Sequence, residues 1–345
     1  MIESIGYLQN FWHAIAFSTE LRRGRALRRR IYDRPLLIWR DTDDCIHAMD
    51  DCCLHQKAPL EVKDYSGNTL VCPYHGWQYD QTGKVTSVPS DSCAAEKICS
   101  RIPVYSLREA DGFVWISLCK TLSSESSLPD LSSFEHWPRR FRMLEFATSE
   151  ELLIDNFMDP THTAIVHDGI IRSSGEPTDH QLTITSHAKG VRVDYAERHE
   201  KVGPGMSYLF GDSVGVQHTD EFLLPNLVRV TYTINRVPRF LAMIACTPIG
   251  PLNGGQTLAF IQLRYQLGWP TRFVGPFVSW IANKVLRQDY KITALQFANR
   301  QAFSESPDHR VAADAVAVHV AKLRKQMISC DQPVATSRQT INLRF

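Results

Sequence analysis

Short apolar runs punctuated by turn residues fill the first third of the chain. "PLLIWRD" (35–41), "CIHAMD" (45–50), "TLVCPYHGWQYD" (69–80) and "GFVWISL" (112–118) alternate or run apolar over strand lengths, with "SGN", "TGK" and "ADG" as turns. The pattern predicts a small all-β domain. "KTLSSESSLPDLSS" (120–133) is polar and Ser-rich and reads as a linker. Beyond it the grammar changes. A helical segment near 150–168 precedes long strand candidates, "QLTITSHAKGVRVDYAE", "LVRVTYTINRV", "FLAMIACTPIG" and "TLAFIQLRYQL", then a helix from about Pro276 to Arg300 and another after Asp308. An antiparallel sheet with C-terminal helices predicts an α+β, helix-grip-like domain with a cavity between sheet and helix. The boundaries expected are 1–120 for the β domain, 121–135 for the linker and 136–345 for the α+β domain.

Composition narrows the function classes. The chain has 345 residues, 43% of them hydrophobic, enough for two cores. With 38 Lys+Arg against 37 Asp+Glu, no global field draws it to nucleic acid or an anionic membrane. The one basic cluster, "RRGRALRRR" (22–30), is interrupted by apolar residues and reads as an exposed turn and strand face. The N-terminal "MIESIGYLQNFWHAIAF" lacks a signal-like basic and apolar pair of regions, and no stretch holds eighteen uninterrupted apolar residues, so a cytoplasmic protein is expected. Nine cysteines, an odd number and mostly scattered, point to reduced thiols or metal ligands rather than a disulfide framework.

Two loops stand out from that scatter. Cys53-x-His55 and Cys72-x-x-His75 are separated by sixteen residues, and each contributes one Cys and one His. Zinc sites of the Cys2His2 kind pair like with like, Cys on one knuckle and His on the other. One of each per loop is the donor set of a [2Fe-2S] cluster in which two Cys hold one iron and two His the other. Cys45, Cys52, Cys93, Cys99, Cys119, Cys246 and Cys330 read as ordinary small side chains.

A second donor set lies in "ELLIDNFMDPTHTAIVHDG", with Asn156, Asp159, His162 and His167 at steps of three, three and five. On a regular helix the first three share a face, whereas the five-residue step turns His167 roughly 140° from His162. The two imidazoles converge only if the helix bulges or ends between them. Two His want one carboxylate to complete an open metal site, and "PFVSWIANKVLRQDYKITALQ" offers Asp289 in line with an expected apolar stripe of Phe277, Ile281, Val285, Ile292 and Leu295.

"CLH", "CPYHGW", "DNFMDPTHTAIVH" and "QDYKITALQ" together resemble the Rieske non-haem iron oxygenases, over nearly the whole chain and in the same order, most closely the group containing dicamba monooxygenase and vanillate O-demethylase. The resemblance implies a Rieske cluster on Cys53, His55, Cys72 and His75, and Fe(II) on His162, His167 and Asp289. It places Asn156 near the iron and makes Asp159 the bridge to His75 of a neighbouring copy in a homotrimer. It also implies O2 as co-substrate and a monooxygenase or oxidative demethylase, dioxygenases sharing the same metals. Gln56 departs from the Arg common after Cys-x-His in the family. No G-x-G-x-x-G opens a helix after a strand, so electrons from NAD(P)H are expected through a separate reductase, with or without a ferredoxin. Tyr208, Phe210, Phe222, Tyr232, Met243 and Phe260 are candidate pocket residues for a small aromatic or apolar substrate. A Rieske-type electron carrier and a zinc-stabilised binding module are the competing classes.

Overall fold

The computed structural model describes residues 6, 8–119, 128–168, 170, 178–201, 213–267, 274–329 and 336–345. The chain divides into two compact units, chiefly Gln9–Asp130 with Ile249–Pro251, and Leu131–Pro248 with Leu252–Phe345.

The first unit is built from β1 (Trp12–Phe17), β2 (Arg25–Ile31), β3 (Arg34–Arg40), β4 (Ile46–Asp50), β5 (Glu61–Asp64), β6 (Thr69–Val71), β7 (Gln78–Tyr79), β8 (Val85–Ser87), a single helical turn α1 (Ala94–Lys97), β9 (Val104–Ala110) and β10 (Phe113–Ser117). Six strands form an antiparallel sheet in the order β1-β10-β9-β4-β3-β2, and β5-β6-β7-β8 form a second, smaller one. Tight turns set the registers. Tyr32–Asp33 and Asp111–Gly112 both take positive φ at their two residues, the conformation that matches the twist of paired strands. The core gathers Leu37, Trp39, Met49, Leu60, Leu70 and Tyr79 around the side chains of Cys53 and Cys72.

The basic cluster lies in and beside β2 and is ion-paired at several points. Arg29 meets Glu20 at 2.5 Å, and Arg34, just beyond, meets Asp50. Arg28 donates to Asp51 at 2.8 Å and to the carbonyl of Leu60 at 2.6 Å, while Asp51 also accepts the Leu60 N–H at 2.7 Å. One arginine thus clasps both ends of the loop that carries Cys53 and His55.

The second unit comprises β11 (Arg139–Phe146), α2 (Glu150–Met158), α3 (His162–Ile165), β12 (Asp179–His187), β13 (Gly190–Tyr195), β14 (Arg198–Lys201), β15 (Ser213–Leu223), β16 (Leu227–Ile234), β17 (Val237–Pro248), β18 (Thr257–Tyr265), α4 (Gly275–Ala302), α5 (Ala315–Ser329) and β19 (Ser337–Arg344). The strands run β11-β18-β17-β16-β15-β13-β12-β19 in one antiparallel sheet, with β14 paired to β15. Period-two alternation gives the sheet two chemically distinct faces. One carries Arg192, Asp194, Glu221 and Arg229 in an ion-paired lattice. The other carries buried Leu182, Ile184, Val193, Phe222 and Val228. Helices cover this apolar face. His319 of α5 is 2.7 Å from Ser186 of β12, Arg142 of β11 donates to Asn283 of α4 at 3.0 Å, and Tyr290 of α4 packs on Phe146. No described helix is long and apolar enough to cross a membrane.

Two expectations require correction. The buried side of α4 is Val278, Ser279, Leu286, Asp289 and Thr293, whereas Ile292 and Leu295 are exposed. The buried stripe is short and partly polar, with Asp289 facing the imidazoles of His162 and His167, and the apolar residues of the expected stripe lie round the helix from it. In addition, Asn156, Asp159 and His162 do not share one helix. Asp159 is an extended C-cap and α2 ends before Pro160, which cannot continue the backbone hydrogen-bond ladder. A one-turn helix, α3, restarts at His162 and itself ends before His167.

Beneath α2 and α5 a fully buried ion pair joins Glu150 to Arg324 at 3.0 Å, with Arg324 also donating to the carbonyl of Pro225 at 2.7 Å. Removing one partner strands the other charge. Arg324→Leu is expected to cost about 3–5 kcal/mol, read as a lowered urea midpoint, with Glu150→Leu added to it restoring much of the loss. A double variant no more stable than Arg324→Leu alone would count against this account.

Candidate metal centres

The two Cys/His loops are built alike despite their different spacing. Cys53 donates its N–H to Ala58 O at 2.9 Å and accepts the Lys57 N–H at 3.0 Å. Cys72 donates its N–H to Trp77 O at 2.8 Å and accepts the Gly76 N–H at 2.9 Å. The fourth residue after each Cys takes positive φ, Lys57 at 64° and Gly76 at 72°. Such a turn costs Gly nothing and strains Lys, so the first loop is held by its clasp as well as by its own bonds. Both cysteines are 1% exposed, while His55 and His75 are exposed with ring centroids 4.8 Å apart, His55 stacked on Trp77. Buried cysteine sulfurs beside solvent-facing imidazoles would fit a Rieske cluster with its His-bound iron nearest the surface. Tyr79 was not singled out in the sequence. Its hydroxyl lies 3.0 Å from Cys53 Sγ and accepts the Leu54 N–H at 3.1 Å, and burial raises its pKa, so that it would donate to a metal-bound Cys53 sulfur.

In the second unit His162, His167 and Asp289 each point one donor atom into a space where all three lie within 4.8 Å. Asp289 Oδ1 is 3.0 Å from His167 Nε2 and 3.7 Å from His162 Nε2, yet it is buried without a hydrogen-bond partner. The far side of each ring is engaged. His162 Nδ1 lies 2.9 Å from the carbonyl of Asp159, and His167 Nδ1 lies 3.1 Å from Gln288 Oε1. A carbonyl behind the His162 ring and the Gln288 amide behind the His167 ring suit the tautomers that would leave both Nε2 lone pairs for an ion. For His167, burial lowers the pKa, but Asp289 and Gln288 outweigh it and the net direction is upward. Two imidazoles and one carboxylate on one side of an open position are the donor set of non-haem Fe(II) sites. Gln288 escaped notice because its only signal is adjacency to Asp289.

Asp159 works mainly through its backbone. Its Oδ1 accepts the N–H and Oγ1–H of Thr161, each at 2.7 Å, which fixes the turn between α2 and α3, while Oδ2 stays 3.8 Å from His162 Nδ1. A polar cleft of about 480 Å³ opens beside His162, with Asn156, Asp159, Asp155 and Arg310 among its walls. Asn156 Oδ1 and Asp155 Oδ1 are buried there without partners. Burial, and then the charge of Glu151, push the Asp155 carboxyl up to about 7. Among the expected pocket residues, Phe222 and Tyr232 lie on the helix-covered face. Met243 and Phe260 alternate onto the opposite face, a correction that follows from strand register. Tyr208 and Phe210 lie outside the described residues.

Residues 11–106 match the Rieske [2Fe-2S] domain and residues 146–329 the vanillate O-demethylase oxygenase C-terminal domain. The chain belongs to the Rieske oxygenases. It is 31% identical over 175 residues to the methylxanthine N1-demethylase of Pseudomonas putida, covering 48% of this chain and 49% of that one. It is 28% identical over 167 residues to the iron-sulfur subunit of the toluene-4-sulfonate monooxygenase system of Comamonas testosteroni, 47% of each. These matches thus span about half the length of the relatives. Dicamba monooxygenase bound to 3,6-dichlorosalicylic acid shares the fold, with a TM-score of 0.80 at 19% identity over 94% of this chain and 98% of that one.

For a Rieske oxygenase with two centres in separate units, loss of one metal should spare the other. Cys72→Ala is expected to abolish the visible cluster spectrum and keep mononuclear iron, and Asp289→Ala to lose about one iron per chain with the spectrum intact. Iron analysis beside absorption spectra checks both. A second expectation follows from Asp155. Its folded pKa lies above the unfolded value of 3.8, so the native state binds more protons up to about 7 and stability falls as pH rises through that window. Asp155→Asn should flatten that fall, measured as the urea midpoint at pH 5 and pH 7.5.

Proposed function

We propose that the chain is the terminal oxygenase component of a Rieske non-haem iron system, hydroxylating or oxidatively demethylating a small organic substrate with O2. The observation that carries the reading is the presence of both donor sets in one chain, Cys53, Cys72, His55 and His75 in one unit and His162, His167 and Asp289 in the other. A bound Rieske cluster would supply electrons singly, and Fe(II) on the two His and Asp289 would keep positions open for O2 beside the substrate. The chain's own part is orientation and charge. The Asp159 carbonyl and Gln288 hold the two imidazoles in one tautomer, and the buried Asp289 carboxylate supplies the negative charge.

Electrons come from a separate reductase that draws on NAD(P)H, with or without a ferredoxin. Relatives support this, one being a subunit of a monooxygenase system and another the oxygenase component of chloroacetanilide N-alkylformylase from Rhizorhabdus wittichii. The assembly is a cytoplasmic homotrimer in which His75 of one copy approaches Asp159 of the next. The exposed ring of His75 and the half-exposed carboxylate of Asp159 support that role. The small molecule is aromatic or apolar, in keeping with the methylxanthine and dicamba named for relatives.

The direct test is substrate-dependent O2 uptake by the iron-loaded protein with a Rieske-system reductase. Asp159→Ala should leave both metals bound and the oligomer intact in light scattering, and stop substrate-coupled oxidation of the reduced cluster in a single turnover. Normal single-turnover oxidation in that variant, or an active monomer, would remove the cross-subunit route.

A further inference from the structure

Near its middle, the helix-covered face of the second sheet carries a row of aromatic rings. Reading across neighbouring strands at equivalent heights, β13, β15, β16, β17 and β18 present Tyr195, His218, Tyr232, Phe240 and Tyr265. The imidazole of His218 stacks on Tyr195 at 3.5 Å between centroids and on Tyr232 at 5.1 Å. One step along the strands, the next row is Val193, Asp220, Val230, Ala242 and Leu263. Large planar rings therefore border a row of smaller aliphatic side chains that holds a single carboxylate.

That carboxylate is the anomaly. Asp220 is 5% exposed and His218 8%, and their nearest approach is 3.4 Å between Asp220 Oδ2 and His218 Nε2. Among the described residues Asp220 has no cationic partner but His218. The ion pairs of Arg192 and Arg229 lie on the opposite face of the sheet. A buried carboxylate without a strong donor is costly, and a fold keeps one where a ligand completes it. Two of the helices over this face hold or lead to the candidate metal ligands: α4 bears Asp289, and α2 leads to His162.

We propose that Asp220 and His218 are specificity-determining residues that anchor a planar aromatic substrate through a hydrogen-bond donor on its ring, a phenolic O–H or an N–H, with Tyr195 and Tyr232 flanking the anchoring imidazole. The inference rests on the oxygenase reading and names the substrate class for the same site. Asp220 accepts the donor, and its negative charge disfavours an anionic ligand such as a benzoate.

The test is equilibrium binding by calorimetry on the purified, iron-loaded protein, which needs no reductase and no turnover. The probes are 4-methoxyphenol, anisole, which lacks the donor, and 4-methoxybenzoate, which replaces it with a negative charge. Wild-type protein is expected to bind 4-methoxyphenol at least about tenfold more tightly than either of the others. Asp220→Asn should collapse the preference over 4-methoxybenzoate and leave anisole unchanged. His218→Gln provides a second reading if Asp220→Asn does not fold, and should weaken 4-methoxyphenol about tenfold without affecting anisole. No binding by any probe, equal affinities, a preference for 4-methoxybenzoate, or a ranking that survives the substitutions would overturn the inference. Selective binding without substrate-dependent O2 uptake would instead overturn the oxygenase reading and leave the anchor standing.

Discussion

The arrangement on which the second unit turns is a buried carboxylate oxygen held between two imidazole nitrogens and hydrogen-bonded to nothing. Positive charge among the three donors, a protonated imidazole or a metal ion, would offset the burial of Asp289 Oδ1. Nearby features follow from that requirement. Helix α2 must stop so that His162 and His167 can face the same point, and Pro160 with the Asp159–Thr161 turn stops it. Each ring must offer a lone pair rather than a proton, and the carbonyl of Asp159 and the side chain of Gln288 see to that from behind. The buried side of α4 is correspondingly polar at Asp289, with Thr293 satisfied by the Asp289 carbonyl at 2.7 Å.

The first unit solves a different problem. An iron-sulfur cluster needs four donors from loops, and loops move unless their backbone groups are satisfied. Here each Cys closes its own turn with a donated and an accepted backbone hydrogen bond, and Arg28 with Asp51 ties the first loop to the strands. The cysteines sit within the hydrophobic core, so a cluster held there would have a dry sulfur side, while the histidines face outward. Tyr79 lies beside Cys53 Sγ, where it would stabilise negative charge on a ligand sulfur and so affect how readily a bound cluster accepts an electron.

Much of this was legible in the sequence because the chemistry needs fixed residue types. The mixed Cys/His loops, the His pair and the strand runs of both units are local patterns. The expected ends of the long helix, Pro276 and Arg300, fall within two residues of the observed Gly275–Ala302. What escaped depends on tertiary context. Strand β19 is largely exposed and carries Arg, Gln, Thr and Asn, so no alternation marks it, and it exists because β12 offers an edge. The wrong stripe on α4 arose because exposed Ile292 and Leu295 look like core in one dimension. Tyr79, Arg28 and Gln288 act through partners far away in the chain, at separations of 26, 23 and 121 residues.

Strand register explains why side-chain chemistry divides so cleanly in the second unit. Because neighbouring residues alternate faces, His218 and Asp220 share a side with Phe222 and Tyr232, while Glu221, between them, joins Arg192 and Arg229 on the other. A shift of one residue in β15 would move Glu221 and its charge under the helices and expel the His218–Asp220 pair. The lattice of arginines on the outer face therefore does more than solvate the sheet. By holding Glu221 outward at 2.6 Å from Arg229, it locks the register that keeps one carboxylate, and only that one along this stretch of β15, facing the helices that carry the metal ligands.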